Sequence, residues 1–184
     1  RRLHFWNKNG DDWPFSHEEK EIVQYLALSR DGSRMAAVYQ NAQNELELVQ
    51  ANSGKSRVIT LDGEVSALGF MPDGIRMVVG FQDGRLGIYH TDNEAFTVVA
   101  THRERVSGLA VSPFGKYLAV AWADTSAMVW TLPDDAGFER PVLLKGLDAP
   151  AGKMVFSPDE NLVLLGQQSG GARLFHTASG ASCY

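Results

Sequence analysis

The sequence predicts an all-β fold made of successive four-stranded antiparallel sheets, and three observations carry that prediction. Four segments share one design: Leu28-Ser29-Arg30-Asp31-Gly32, Phe70-Met71-Pro72-Asp73-Gly74, Val111-Ser112-Pro113-Phe114-Gly115 and Phe156-Ser157-Pro158-Asp159-Glu160. Their second residues stand 42, 41 and 45 positions apart, the spacing of a repeat architecture. Each is followed by a strand-like run ending in an anchor, Val49, Tyr89, Trp130 or Phe175, 18 positions on in the last three repeats and 20 in the first. Val, Leu, Phe, Tyr and Trp gather between turn signals at the short intervals of antiparallel β structure, whereas helical periodicity is weak throughout.

Taken in order, Trp6-Asn7 fits the third strand of an early sheet, with Asp12 to Phe15 as its fourth strand and His17 leading onward. Residues 1–17 are therefore the back half of a first unit, and 18–61, 62–100, 101–144 and 145–184 are the units that follow. The stretch Ser16 to Tyr25 reads as a loop entering a strand. The two extra residues of the first repeat fall in the polar turn Gln40-Asn41-Ala42-Gln43-Asn44, because turns accept insertions more readily than paired strands. The third repeat is the plainest. Val106 to Val111, Tyr117 to Trp122, Met128 to Leu132 and Pro141 to Leu144 are its strands, with a Pro/Gly turn, the turn Ala123-Asp124-Thr125 and the loop Pro133 to Gly137 between them. Gly32, Gly74 and Gly115 recur at one hairpin, where a positive φ is expected. The last unit ends inside its fourth strand at Cys183-Tyr184.

These residues resemble the WD-repeat family, and the resemblance covers nearly the whole chain. In that family a Gly-His pair precedes the first strand, an Asp sits in the turn before the third, and Trp-Asp ends the third. The third repeat matches best, with His102, Asp124 and Trp130 in the three places, although Val120 stands where the family carries a hydroxyl. The second repeat keeps Asp83 but has Leu61 for His and Tyr89-His90 for Trp-Asp; the fourth has Gly146-Leu147, Ser169 and Phe175-His176; the first has Val49-Gln50. The resemblance implies a β-propeller, here about four and a half blades of an incomplete ring, belonging to a larger propeller that is commonly seven-bladed. The remaining blades are expected elsewhere on the parent chain or on a partner. It also implies that His102, Asp124, Trp130 and Asp83 form a structural network that locks the blades rather than a reactive centre. Partner contacts in the family flank the start of the first strand and the turn Asp, which maps them here onto Glu64, Ser66, Gln82, Arg105 and Ser107.

Composition narrows the function. Hydrophobic residues at 44% and charged ones at 21% are those of a globular chain, and a net charge of -5 disfavours nucleic acid as a partner. No run approaches the roughly 18 apolar residues that span a bilayer, and the opening Arg1-Arg2-Leu3-His4 is no signal peptide. Cys183 is the single cysteine, which points to a reducing compartment such as the cytoplasm.

The residues that could carry chemistry lack the spacing it needs. His17-Glu18-Glu19 lacks a second His four residues on and reads as a solvated loop. His90 and His176 occupy repeat positions and read as structural. Gly166-Gln167-Gln168-Ser169-Gly170-Gly171 has no Lys-Ser/Thr ending and reads as a hairpin turn, not a phosphate loop. The pairs Asp11-Asp12, Glu18-Glu19 and Asp134-Asp135 lie in loops as solvated charges. No cofactor, metal or catalytic residue is expected, and the chain reads as a non-enzymatic protein-interaction scaffold within a multisubunit assembly. The alternative is a regulatory propeller domain of a larger signalling enzyme. A channel-centred enzyme is disfavoured by the apolar inner runs Leu26 to Leu28, Leu68 to Phe70 and Leu109 to Val111. Arg85, Arg103, Arg105 and Lys145 could form a patch for an acidic partner, with Phe81 and Trp122 near the same turns as contact anchors or, more simply, as core.

Overall fold

A computed structural model describes residues 2–6, 12–18, 22–132 and 141–183. Its strands are β1 (Arg2–Trp6), β2 (Asp12–Glu18), β3 (Val23–Leu28), β4 (Arg34–Tyr39), β5 (Ala42–Gln50), β6 (Ser56–Thr60), β7 (Val65–Phe70), β8 (Arg76–Phe81) and β9 (Arg85–His90). They continue as β10 (Phe96–Thr101), β11 (Val106–Val111), β12 (Tyr117–Trp122), β13 (Ala127–Thr131), β14 (Val142–Leu143), β15 (Ala151–Phe156), β16 (Leu162–Gln167) and β17 (Ala172–His176). No helix occurs among the described residues. The sheets run β1-β2, β3-β4-β5-β6, β7-β8-β9-β10, β11-β12-β13-β14 and β15-β16-β17, all antiparallel meanders. First strands neighbour first strands, β3 beside β7, β7 beside β11 and β11 beside β15, so the sheets fan about one side as blades do. The ring is not closed.

The anchors fall at one register point. Val49 pairs with Met35, Tyr89 with Met77, Trp130 with Leu118 and Phe175 with Val163. All eight are buried, because they face the neighbouring sheets. The core therefore lies between blades. Ala36, Leu46 and Leu48 of one blade meet Phe70, Met77, Val79 and Phe81 of the next. Val78 and Leu86 meet Leu118, Val120 and Trp122, and Ala119 and Val129 meet Phe156, Val163 and Phe175. Aliphatic residues of one blade meet aliphatic and aromatic residues of the next, which fills the gap between sheets.

One hairpin explains the repeated pentapeptide. Residues 32, 74, 115 and 160 each donate a backbone N–H, at 2.9 Å, to the carbonyl of Ser29, Met71, Ser112 and Ser157 respectively. The first three are glycines at φ 72°, 68° and 77°, as the spacing predicts; the fourth is Glu160, at φ 60°. Glu160 is buried, and its carboxylate accepts the Phe114 N–H of the preceding blade at 2.6 Å. That bond reaches the one turn whose Asp is replaced, since Phe114 stands where the others have Asp31, Asp73 and Asp159.

The structure corrects several local expectations. The extra residues of the first repeat are not held in a free turn. Tyr39 pairs with Ala42 and Val38 with Leu46, so they form a bulge inside β5, where the Asn44 carbonyl still accepts the Leu61 N–H at 2.8 Å. The turn itself shrinks to Gln40-Asn41. The early fourth strand runs on to Glu18 and takes in His17, which was expected in a loop. The third strand of the third repeat is Ala127–Thr131, one residue earlier than expected. The last unit shows only an isolated bridge, Phe175 to Ser182, beyond its third strand. The loop Pro133 to Gly137, the pairs Asp11-Asp12 and Asp134-Asp135, and Tyr184 involve residues outside those described.

Candidate functional site

The loops entering each blade and the hairpins joining its second and third strands share one end of the fan. There β12 ends at Trp122, and the following hairpin presents Asp124 to His102 in the loop before β11. The Glu104 backbone N–H donates to His102 Nδ1 at 3.2 Å, which leaves the proton on Nε2, 3.7 Å from Asp124 Oδ2. That is longer than a hydrogen bond, and the contact becomes an ion pair only when the ring is protonated. The imidazole lies on Trp122, with centroids 4.8 Å apart, and Trp122 meets Trp130 edge-on at 5.9 Å. Trp122 Nε1 and the His102 backbone N–H both donate to the Gly84 carbonyl, at 3.4 and 3.1 Å, tying the third blade to the second. Val120 is fully buried in the apolar core, so aromatic stacking carries the connection from His102 to Trp130. Burial alone would raise the Asp124 pKa. The Ser126 backbone N–H and hydroxyl, then the His102 and Arg103 charges, outweigh it and hold the carboxyl below its ordinary value.

Other blades make the same fastening with other groups. Leu61, in the His place, is buried in the core. Asp83 instead accepts from Arg85, at 3.1 Å from the backbone N–H and 2.7 Å from Nε. The Arg85 guanidinium also donates to the Asp62 carbonyl and lies 5.0 Å from the Phe81 ring centroid. In the fourth blade Leu147 is buried, and Arg173 on β17 pairs with Asp148 in the entering loop at 2.9 Å. Nothing at the level of residue type marked Arg85 and Arg173 as substitutes for the histidine.

The five candidate contact residues separate. The Gln82 N–H donates to the Glu64 carbonyl at 2.9 Å and the Ala123 N–H to the Arg105 carbonyl at 2.9 Å, which places all three named side chains at the loop-bearing end. Glu64 is exposed, and Gln82 and Arg105 are half-buried. Ser66 and Ser107 do not belong with them. Every first strand carries a bulge near its start, between Val23 and Tyr25, Val65 and Ala67, Val106 and Gly108, and Ala151 and Lys153. Ser66 and Ser107 are the bulged residues, and a bulge re-aims a side chain. Ser66 is buried with no partner for its hydroxyl, and the Ser107 hydroxyl donates to the Ala151 carbonyl of the next blade at 2.5 Å. Phe81 and Trp122 are likewise buried core.

Arg103, Arg105 and Lys145 make no ion pair among the described residues, while Arg85 is taken up by Asp62 and Asp83. The cations without an ion pair at this end thus lie over the third and fourth blades, with Glu104 and Asp124 among them. Over the first two the end is acidic and amide-rich, with Gln40, Asn44, Asp62 and Glu64 around one depression. No group of three or more His, Cys, Asp or Glu able to hold a metal ion occurs among the described residues.

A family model described as "WD domain, G-beta repeat" matches residues 94–131. Among curated proteins, the chain is 31% identical over 114 residues to Actin-interacting protein 1-2 of Arabidopsis thaliana, covering 59% of this chain and 18% of that protein. It is 25% identical over 173 residues to a Protein LST8 homolog of Drosophila pseudoobscura pseudoobscura, covering 89% of this chain and 54% of that one. It is 29% identical over 84 residues to a WD repeat-containing protein WDS homolog of Arabidopsis thaliana, covering 46% and 16%. The chain therefore spans at most about half the length of these relatives.

Proposed function

We propose, from the premise that this chain belongs to the WD-repeat family, that it is a non-catalytic scaffold whose loop-bearing end captures another protein. The observation that carries the proposal is the set of cations there that make no ion pair among the described residues, Arg103, Arg105 and Lys145, beside Glu64 and Gln82. They stand on loops between sheets packed through buried apolar faces, so the surface is held rigid before a partner arrives. A partner presenting an acidic segment matches that charge pattern. Capture of proteins from cell extract by the full chain, quantified against Arg105→Glu and Glu64→Lys, tests it. Both variants should keep the wild-type melting temperature and lose partner recovery. Unchanged recovery with both removes the proposal.

The same reading extends to the outer face of the fourth blade. Val155 and Leu164 are 58% and 40% exposed, yet Ala110 and Ala119, their counterparts one repeat earlier, pack into the next blade. The repeat pattern assigns that face to a further blade, supplied by the same parent chain or by a partner.

A further inference from the structure

Between the outer strands of the first two blades the sheets part into a crevice that runs from Arg34 and Asp92 up to Asp62 at the loop-bearing end. It holds two chambers of about 320 Å³ each. One is polar and lined by Arg34, Gln50, Lys55, Arg57 and Asp92 over buried Leu48. The other is lined by Val58, Ile59, Leu61, Phe81, Tyr89 and Phe96.

Arg57 divides them, donating to Glu94 Oε1 at 2.5 Å and to the Thr91 carbonyl. The pair is 41% and 62% exposed, so solvent screens it and a ligand can displace it. Arg34 reaches across from the first blade to Thr91 Oγ1 at 2.6 Å and Asp92 Oδ1 at 3.2 Å. Arg34, Arg57 and Lys55 share the crevice with Asp92, Glu94 and Asp62, and Lys55 is the one of the three cations with no ion pair among the described residues. In the apolar chamber Tyr89 is 2% exposed and its buried hydroxyl has no hydrogen-bond partner among the described residues, so it closes the floor of the chamber. Along the crevice lies β6, the outermost strand of its sheet, whose outward backbone groups suit an extended chain.

We propose that this crevice binds an extended peptide of a partner protein, with a carboxylate against Lys55 and a bulky aliphatic or aromatic side chain, three or four residues away, in the Ile59–Phe96 chamber. The spacing follows from the strand, because Lys55 and Ile59 are four residues apart along β6 at roughly 3.3 Å each. The site adjoins the loop-bearing end at Asp62 but uses none of Arg103, Arg105 and Lys145, so it does not depend on the proposal made for that end.

Panning a random heptapeptide phage library over the full chain tests this, followed by fluorescence polarisation with the synthesised winner. Winners should share an Asp or Glu three or four residues from Leu, Ile or Phe. Lys55→Glu should weaken the winner at least about tenfold with the wild-type melting temperature, while Arg105→Glu should leave it unchanged. The proposal is overturned by winners without that pattern, by an absence of winners, by indifference to Lys55→Glu, or by a dimer of the chain that Lys55→Glu dissociates.

Discussion

Two glutamates with left-handed backbone allow the hairpin argument to be tested by opposite outcomes. Glu160 has φ 60° and Glu94 φ 59°, and holding a residue with a Cβ there costs about 1–2 kcal/mol. Glycine removes that cost at both positions and adds about 0.5–1 kcal/mol of backbone entropy lost on folding. What differs is the carboxylate. At Glu160 it is buried and caps the Phe114 N–H at 2.6 Å, a charged hydrogen bond worth about 1.5–3 kcal/mol. At Glu94 it makes an exposed pair with Arg57, worth about 0–1 kcal/mol. Glu160→Gly should therefore destabilise by about 1–2 kcal/mol, lowering the melting temperature by about 2–8 °C. Glu94→Gly should be neutral or stabilise by up to about 1 kcal/mol. Urea unfolding followed by tryptophan fluorescence measures both differences. If the two substitutions shift stability in the same direction by the same amount, the bond from Glu160 to the neighbouring blade contributes nothing and the reasoning fails.

Three further outcomes are expected. The carboxyls of Asp31, Asp73 and Asp159 are all held below the ordinary aspartate value of 3.8. For Asp31 the Ser29 hydroxyl, then the Ser33 backbone N–H and hydroxyl, lower it to about 2. Because a depressed folded pKa favours the folded state above the unfolded value, that stabilisation is complete above pH 3.8 and is lost as pH falls toward 2. A carboxyl NMR titration giving Asp31 a midpoint of 3.8 would contradict this. Ser107→Ala should cost about 1 kcal/mol by removing its bond to Ala151, and Ser66→Ala, whose hydroxyl is unpartnered, should be neutral or slightly stabilising; equal costs in urea unfolding would refute the difference. Gly108→Ala should destabilise by about 1–3 kcal/mol, since a Cβ there would lie 2.1 Å from the Gly152 carbonyl oxygen. A wild-type melting temperature would show that β11 and β15 can part without cost.

Much of the blade was readable because its strands are apolar runs bounded by Pro and Gly. Val106–Val111 and Tyr117–Trp122 stand where the run and its turns put them, and the anchors mark equivalent points in four sheets. The contact residues were less legible, for a definite reason. The family resemblance maps Ser66 and Ser107 among the partner contacts, but each sits in the bulge of its strand, with Ser66 buried and the Ser107 hydroxyl bonded to the next blade. Nothing in the residue types around Ser66 announces a bulge. The β5 insertion escaped for a related reason, since polar residues such as Gln43 and Asn44 signal a turn even when their backbone still pairs. Glu160 is the third case. A glutamate gives no hint of positive φ, and only its place in the repeat, opposite Gly32, Gly74 and Gly115, points to one.

The three fastenings at the loop-bearing end obey one geometric demand with the charges exchanged. In the third blade the entering loop supplies the imidazole of His102 and the hairpin supplies the carboxylate of Asp124. In the second and fourth blades the loop supplies the carboxylate, Asp62 or Asp148, and the third strand supplies Arg85 or Arg173. Each pair is partly exposed and contributes modestly to stability. The inter-blade faces are a different matter, since Met77, Val79, Leu118, Ala119, Val163 and Leu165 are all sealed from solvent, and their hydrophobic burial dominates folding. The polar fastenings can therefore be rebuilt from one blade to the next without endangering the fold. The fastenings differ from repeat to repeat at the end where each blade displays its loops, which leaves different charges free on different blades. For the scaffold proposed above, that combination gives a rigid body with one face free to match the charge pattern of a partner.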